Sequence, residues 1–123
     1  MTLNAKQLAA VMKAGLIMTN ADGKVQDDEL KVIINELKNF NVTAEQGKLL
    51  YEVADAMSVE EMIEQLKPLS SSDKKYICGY LVAIIVIDGD IDENETNAWK
   101  AICTLCDFPE MTAGEALAYW RNN

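Results

Sequence analysis

Two stretches of the chain carry one acidic pattern. Asp22-Gly23-Lys24-Val25 runs into Asp27, Asp28 and Glu29, and Asp88-Gly89-Asp90-Ile91 runs into Asp92, Glu93 and Glu95. Both read Asp-Gly-x-[Val/Ile]-x-[Asp/Glu]-x-Glu. Carboxylate oxygens at this spacing match the back half of a helix-flanked calcium loop. The front half is missing, for Ile84 and Val86 precede the second copy where acids would be needed.

Calcium takes about 6–8 oxygen ligands. One half-loop offers an Asp oxygen and up to two Glu oxygens, roughly three in all. Two half-loops facing one another offer about six, and the carbonyls of Lys24 and Asp90 would bring the set to about eight. The pattern therefore excludes two ordinary calcium loops and allows one shared site. Its ligands would be Asp22, Glu29, Asp88 and Glu95, with Asp90 and Asp92 as secondary candidates and Asp27 and Glu93 adding charge. Calcium is the favoured ion, with magnesium or manganese as alternatives; magnesium would need fewer protein ligands and would keep waters.

A structural explanation accounts for the same residues. Gly supplies the positive φ of a tight turn, Asp bonds its own backbone, and Val25 and Ile91 pack inward. Glu29 and Glu95 complete caps and favour the helix N-terminal dipole. On sequence alone the two explanations stand level.

Cys103-x-x-Cys106 raises zinc or redox chemistry. A zinc site would need two more ligands, and the chain has no histidine and only Cys78 as a further cysteine. Both residues fall on an apolar stripe with Trp99 and Ile102, which favours packing. They are expected to be shielded, and Cys103→Ala should cost about 1–2 kcal/mol. Near the C-terminus, Tyr119, Trp120 and Arg121 are interface-prone types. Trp120 completes a helical stripe, so it is expected to close the core with the other two at its rim.

The elements that must position these groups read as helices. Leu30, Ile33, Ile34 and Leu37 form one stripe, and so do Val59, Met62, Ile63 and Leu66. The same spacing recurs at Trp99, Ile102, Cys103 and Cys106, and at Ala113, Ala116, Leu117 and Trp120. Ser58-x-x-Glu61, Asp92-x-x-Glu95 and Thr112-x-x-Glu115 are capping boxes, and Thr43-x-x-Gln46 is a weaker one. Pro68 and the serines at 70 to 72 mark a stop and a loop. Seven helices follow, near 3–19, 27–40, 44–56, 59–67, 73–87, 92–106 and 113–121. The run "YLVAIIVI" within 73–87 is rich in β-branched residues and fits a buried strand equally well by periodicity. The repeat decides for helix, because aligning the two Asp-Gly motifs maps this run onto the helix before the first motif. The expected architecture is all-α, a single domain over 1–123, with two pseudosymmetric helix-turn-helix units, two middle helices and a short closing one.

Composition narrows the function classes. Acidic residues outnumber basic ones by 20 to 11, a net charge of −9, which argues against nucleic acid and anionic membrane surfaces. Lys6 and Lys13 interrupt the N-terminal apolar run, so no signal peptide is expected. The most apolar segment, Tyr76 to Ile87, is too short to span a bilayer. Three cysteines without a secretion signal point to reduced thiols in a cytoplasmic protein.

Ala21-Asp22-Gly23-Lys24-Val25 with Glu29, and Ile87-Asp88-Gly89-Asp90-Ile91 with Glu95, in an all-helical frame, resemble the TerB-like family named for bacterial tellurite resistance. The resemblance runs from about Leu8 to Phe108. It implies a helical domain with internal two-fold pseudosymmetry, neighbouring acidic motifs proposed to bind divalent metal, and a chemical-stress setting. The expected role is non-enzymatic: a small acidic metal-binding module. The rival is a protein-interaction module with purely structural turns. A hydrolytic centre built on Asp22, Asp88 and the glutamates ranks lower, because no nucleophile, histidine or phosphate-binding loop accompanies the acids.

Overall fold

The computed structural model describes residues 3–19, 27–87 and 93–123, with only the backbone of 27–29. Seven α-helices lie within them: α1 Ala5–Thr19, α2 Asp27–Glu36, α3 Ala44–Ala56, α4 Val59–Leu66, α5 Ser71–Ile87, α6 Glu93–Leu105 and α7 Ala113–Asn122. No strand occurs among the described residues.

Two helices form the centre. In α1, Ala9, Ala10, Val11, Met12, Ala14, Gly15, Leu16 and Met18 are buried all round the helix. In α5 the burial is continuous from Tyr76 to Ile85. A helix apolar on every side belongs inside a bundle, which resolves the ambiguity of "YLVAIIVI" in favour of helix. Around this pair, α1 packs on α2, α3, α4, α5 and α6, and α5 packs on α2, α6 and α7.

Local chemistry fixes the helix ends. Capping boxes at Thr43 with Gln46, Ser58 with Glu61 and Thr112 with Glu115 are all formed reciprocally. Asp92 lies outside the described residues, so its box with Glu95 does too. The serines expected as loop instead start α5 early. Ser70 Oγ accepts from the Asp73 amide at 3.2 Å, so the helix begins at Ser71 rather than at 73. The helix expected over 27–40 tightens at Leu37 into a 3-10 turn ending at Phe40, and Asn41 follows at φ 64°. Asn tolerates that left-handed conformation and so ends the helix. Val59 and Ala113, counted on apolar stripes, are exposed. Each is the first residue of its helix, where the stripe has not yet reached the core.

Polar groups stitch the core. Tyr80 Oη donates to the Ile33 carbonyl at 3.1 Å, and Phe40 meets Tyr76 and Tyr80 edge-on at 5.2 and 5.4 Å. These contacts fasten the end of the α2 segment to α5. Asp107 turns left-handed at φ 55°, while the Phe108 amide bonds back to the Cys103 carbonyl at 2.8 Å. The buried Lys74 of α5 donates to the Asp107 carbonyl at 3.0 Å. A cation at the C-terminal end of α6 also suits its dipole. Trp120 packs against the core with Tyr119 beside it. Tyr119 lies under Lys75 Nζ at 5.8 Å, and Arg121 is exposed, as expected of a rim.

Candidate metal centre

The acidic motifs lie in the sequence between α1 and α2 and between α5 and α6. Asp22, Asp88, Asp90 and Asp92 lie outside the described residues, and Glu29 sits in the first turn of α2 with only its backbone described. Glu95 is the ligand candidate whose side-chain environment is described. It stands in the first turn of α6 and is 7% exposed. Among the described residues, no group of three or more His, Cys, Asp or Glu side chains is arranged to hold a metal ion.

The frame around the turns brings their ends together. A Cβ placed on Gly15 would lie 3.4 Å from Ile84 Cδ1 and 3.7 Å from Ile33 Cγ2. Gly15 is about one turn from the end of α1, and Ile84 about one turn from the end of α5. The two helices therefore approach each other just before both acidic motifs begin in the sequence. Thr19 closes α1 by donating its buried hydroxyl to the Gly15 carbonyl at 2.9 Å. Of the helices that follow the acidic motifs, α6 packs on α1 and α2 packs on α5.

A buried carboxylate is costly unless a cation, hydrogen bonds or a proton offsets its charge. Glu95 is engaged within the fold, and at the start of α6 it also benefits from the helix dipole. Hard oxygen donors suit calcium, magnesium or manganese, so the donor set of the motifs fits a hard divalent ion. Trp99, one turn further along α6, has a buried indole Nε1 with no acceptor among the described residues. An N–H donor cannot ligate a cation, so it adds nothing to the oxygen set.

The family model described as "Tellurite resistance protein TerB" matches residues 6–117. The chain belongs to the TerB family. It is also similar to a crystal structure of a protein of unknown function from Porphyromonas gingivalis. The two are 34% identical with a TM-score of 0.87, over 100% of this chain and 99% of the other. No curated protein matches. Among the described residues, no helix is long and apolar enough to cross a membrane.

The cysteines are arranged differently from the sequence expectation. Cys106 is fully buried, as expected, but Cys103 is only partly so. Its close neighbour is Cys78 of α5, whose Sγ lies 3.8 Å from its own. The sequence spacing relates Cys103 to Cys106 on one helix. Nothing local in the sequence marks the contact with Cys78, 25 residues away.

Proposed function

We propose that this TerB-family domain is a non-enzymatic, divalent-cation-binding module in which the two acidic turns share one ion, calcium in the first place. Asp22 and Glu29 would supply one half of the ligand set and Asp88 and Glu95 the other, with Asp90 and Asp92 in reserve. The observation that carries this reading is the burial of Glu95 in the first turn of α6, beside a frame in which α1 and α5 converge just before their acidic turns. An internal two-fold relating α1–α2 to α5–α6 belongs to the same reading. It is supported by reciprocal packing, α1 on α6 and α5 on α2. The chemical-stress setting of tellurite resistance is carried over from the family, and a cytoplasmic location fits three free thiols.

A second reading, a protein-interaction module, has its own observation. Leu3, Leu8, Val42, Leu49, Leu50 and Val53 line one surface groove, and Leu49 and Val53 are 66% and 50% exposed. Apolar surface of that kind suits a protein partner.

Calorimetric titration of the chelator-treated protein with calcium, magnesium and manganese separates the two. The metal reading expects saturable binding of one ion per chain at submillimolar concentration. Absence of heat with all three ions, together with unchanged melting, would leave the interaction module.

A further inference from the structure

The cysteines are untouched by the acidic-turn reading, and their arrangement is unlike that of three packed core residues. Cys78 is buried in α5, at 1% exposure. Cys103 lies across from it on α6, with the sulfurs 3.8 Å apart. Cys103 also lines an open surface groove of about 790 Å³ with Trp99, Lys100, Thr104 and Phe108. One residue of the contacting pair is therefore partly exposed at a groove, while the other is buried behind it.

We propose that Cys103 and Cys78 form an oxidation site, at which a hydroperoxide converts the contacting thiols into an intramolecular disulfide between α5 and α6. Cys103 is the attacking thiol, because the groove lets a small peroxide reach it. Cys78 is the resolving thiol, because it is already in contact and shielded from competing reagents.

The electrostatics favour the same assignment. The hydrogen bond with Cys78 holds the Cys103 thiol below its ordinary pKa, with a smaller contribution from its own backbone. That bond and burial push the Cys78 thiol well up. The two sulfurs share one hydrogen-bond contact at 3.8 Å, in which either can donate. Burial pushes the Cys106 thiol to about 11, so near neutral pH it has little thiolate, the nucleophilic form.

The chemistry balances with one peroxide. The Cys103 thiolate attacks one peroxide oxygen and the O–O bond breaks. This leaves a sulfenic acid on Cys103 and a hydroxide that takes up the thiol's proton as water. The Cys78 sulfur then attacks the Cys103 sulfur. An S–S bond forms, the S–O bond breaks, and the departing hydroxide takes the Cys78 proton as a second water. Two thiols lose two electrons in total, and the peroxide gains them. A disulfide is about 2.05 Å long, so the sulfurs, now 3.8 Å apart, must close by a little under about 2 Å. The resulting link would enclose the second acidic turn, since that turn lies between residues 78 and 103.

The test treats the full-length folded protein with hydrogen peroxide in the presence of a chelator. Acid quenching, denaturation and alkylation with N-ethylmaleimide follow, and fragment-ion mass spectrometry locates each modification. Circular dichroism on the same samples confirms that the helices persist. The expected product is an intrachain Cys78–Cys103 disulfide with Cys106 alkylated. It should be absent in Cys103→Ser and retained in Cys106→Ser. Three alkylated cysteines, a Cys103–Cys106 link, a link between chains, or Cys103 sulfinic acid beside alkylated Cys78 would each overturn the proposal. The parent chain alone gives the decisive map, so the result stands even if a variant folds poorly.

Discussion

The same substitution at two buried helical glycines should move stability in opposite directions. In an unhindered helix interior, Gly→Ala is favourable by about 1 kcal/mol. At Gly15 in α1 the added methyl would meet Ile84 Cδ1 at 3.4 Å and Ile33 Cγ2 at 3.7 Å, which is ordinary packing distance. Gly15→Ala should keep most of the propensity gain, roughly 0.5–1 kcal/mol. At Gly79 in α5 the methyl would fall 2.2 Å from Trp120 Cβ and 2.3 Å from the Ala116 carbonyl oxygen. One of those atoms is backbone, so no rotamer change relieves it, and α7 must move off by about an ångström. Overpacking of this kind costs about 1–3 kcal/mol, and a backbone obstacle belongs at the upper end. Less the propensity gain, Gly79→Ala should lose about 2 kcal/mol. For a chain of this size that is a fall in Tm of roughly 6–10 °C. Urea and thermal unfolding of both variants make the comparison, with Trp fluorescence following Trp120. A Gly79→Ala variant as stable as the parent would refute the close approach of α5 and α7.

Three further outcomes follow from side chains already described. Burial, with Glu36 nearby as the lesser cause, raises the pKa of Tyr80 above its usual 10.0. The stability from its neutral buried form is therefore complete below pH 10.0 and lost as pH rises beyond it. Tyr80→Phe should lose about 1 kcal/mol at neutral pH with the bond to Ile33, yet begin alkaline unfolding at higher pH in a circular dichroism titration. Thr112→Ala should cost about 1 kcal/mol by urea unfolding, through loss of the α7 cap. The backbone and side-chain bonds with Thr112 lower the pKa of Glu115. Its share of the cap is present above the ordinary carboxylate value and lost as pH falls through the depressed one, which the Thr112 amide shift in NMR should follow. Finally, Cys106→Ala should cost about 1–2 kcal/mol and Cys103→Ala less, because Cys103 is only partly buried; urea midpoints rank the two.

What the sequence revealed follows from the range of the forces involved. Capping boxes act over three residues, and the boxes at Thr43, Ser58 and Thr112 all form as written. The run from Tyr76 to Ile85 was unreadable by periodicity, since burial on all sides erases the stripe that marks a helix. Only the repeated motif identifies it as a helix. A serine cluster after Pro68 looks like loop, and the start of α5 at Ser71 shows only once the Ser70 hydroxyl is seen to cap it. The Cys78–Cys103 contact and the fit of Gly79 against α7 join distant segments, and no local pattern encodes which faces will meet. In the acidic motifs, residue types expressed the donor chemistry. Their spacing could not state whether two half-loops face one another, which depends on how α1 and α5 pack.

The most direct test of the shared site is a four-protein thermal comparison with and without calcium: the parent, Glu29→Gln, Glu95→Gln and the double variant. An ion that binds only the folded state should stabilise the parent by about 2.7 kcal/mol at a hundredfold excess over Kd. If one ion needs both half-loops, either single change abolishes most of the calcium-induced rise in Tm, and the second adds little. Half the rise lost in each single variant, with the losses adding in the double, would contradict a shared site. A parent whose Tm calcium does not move would contradict metal binding itself.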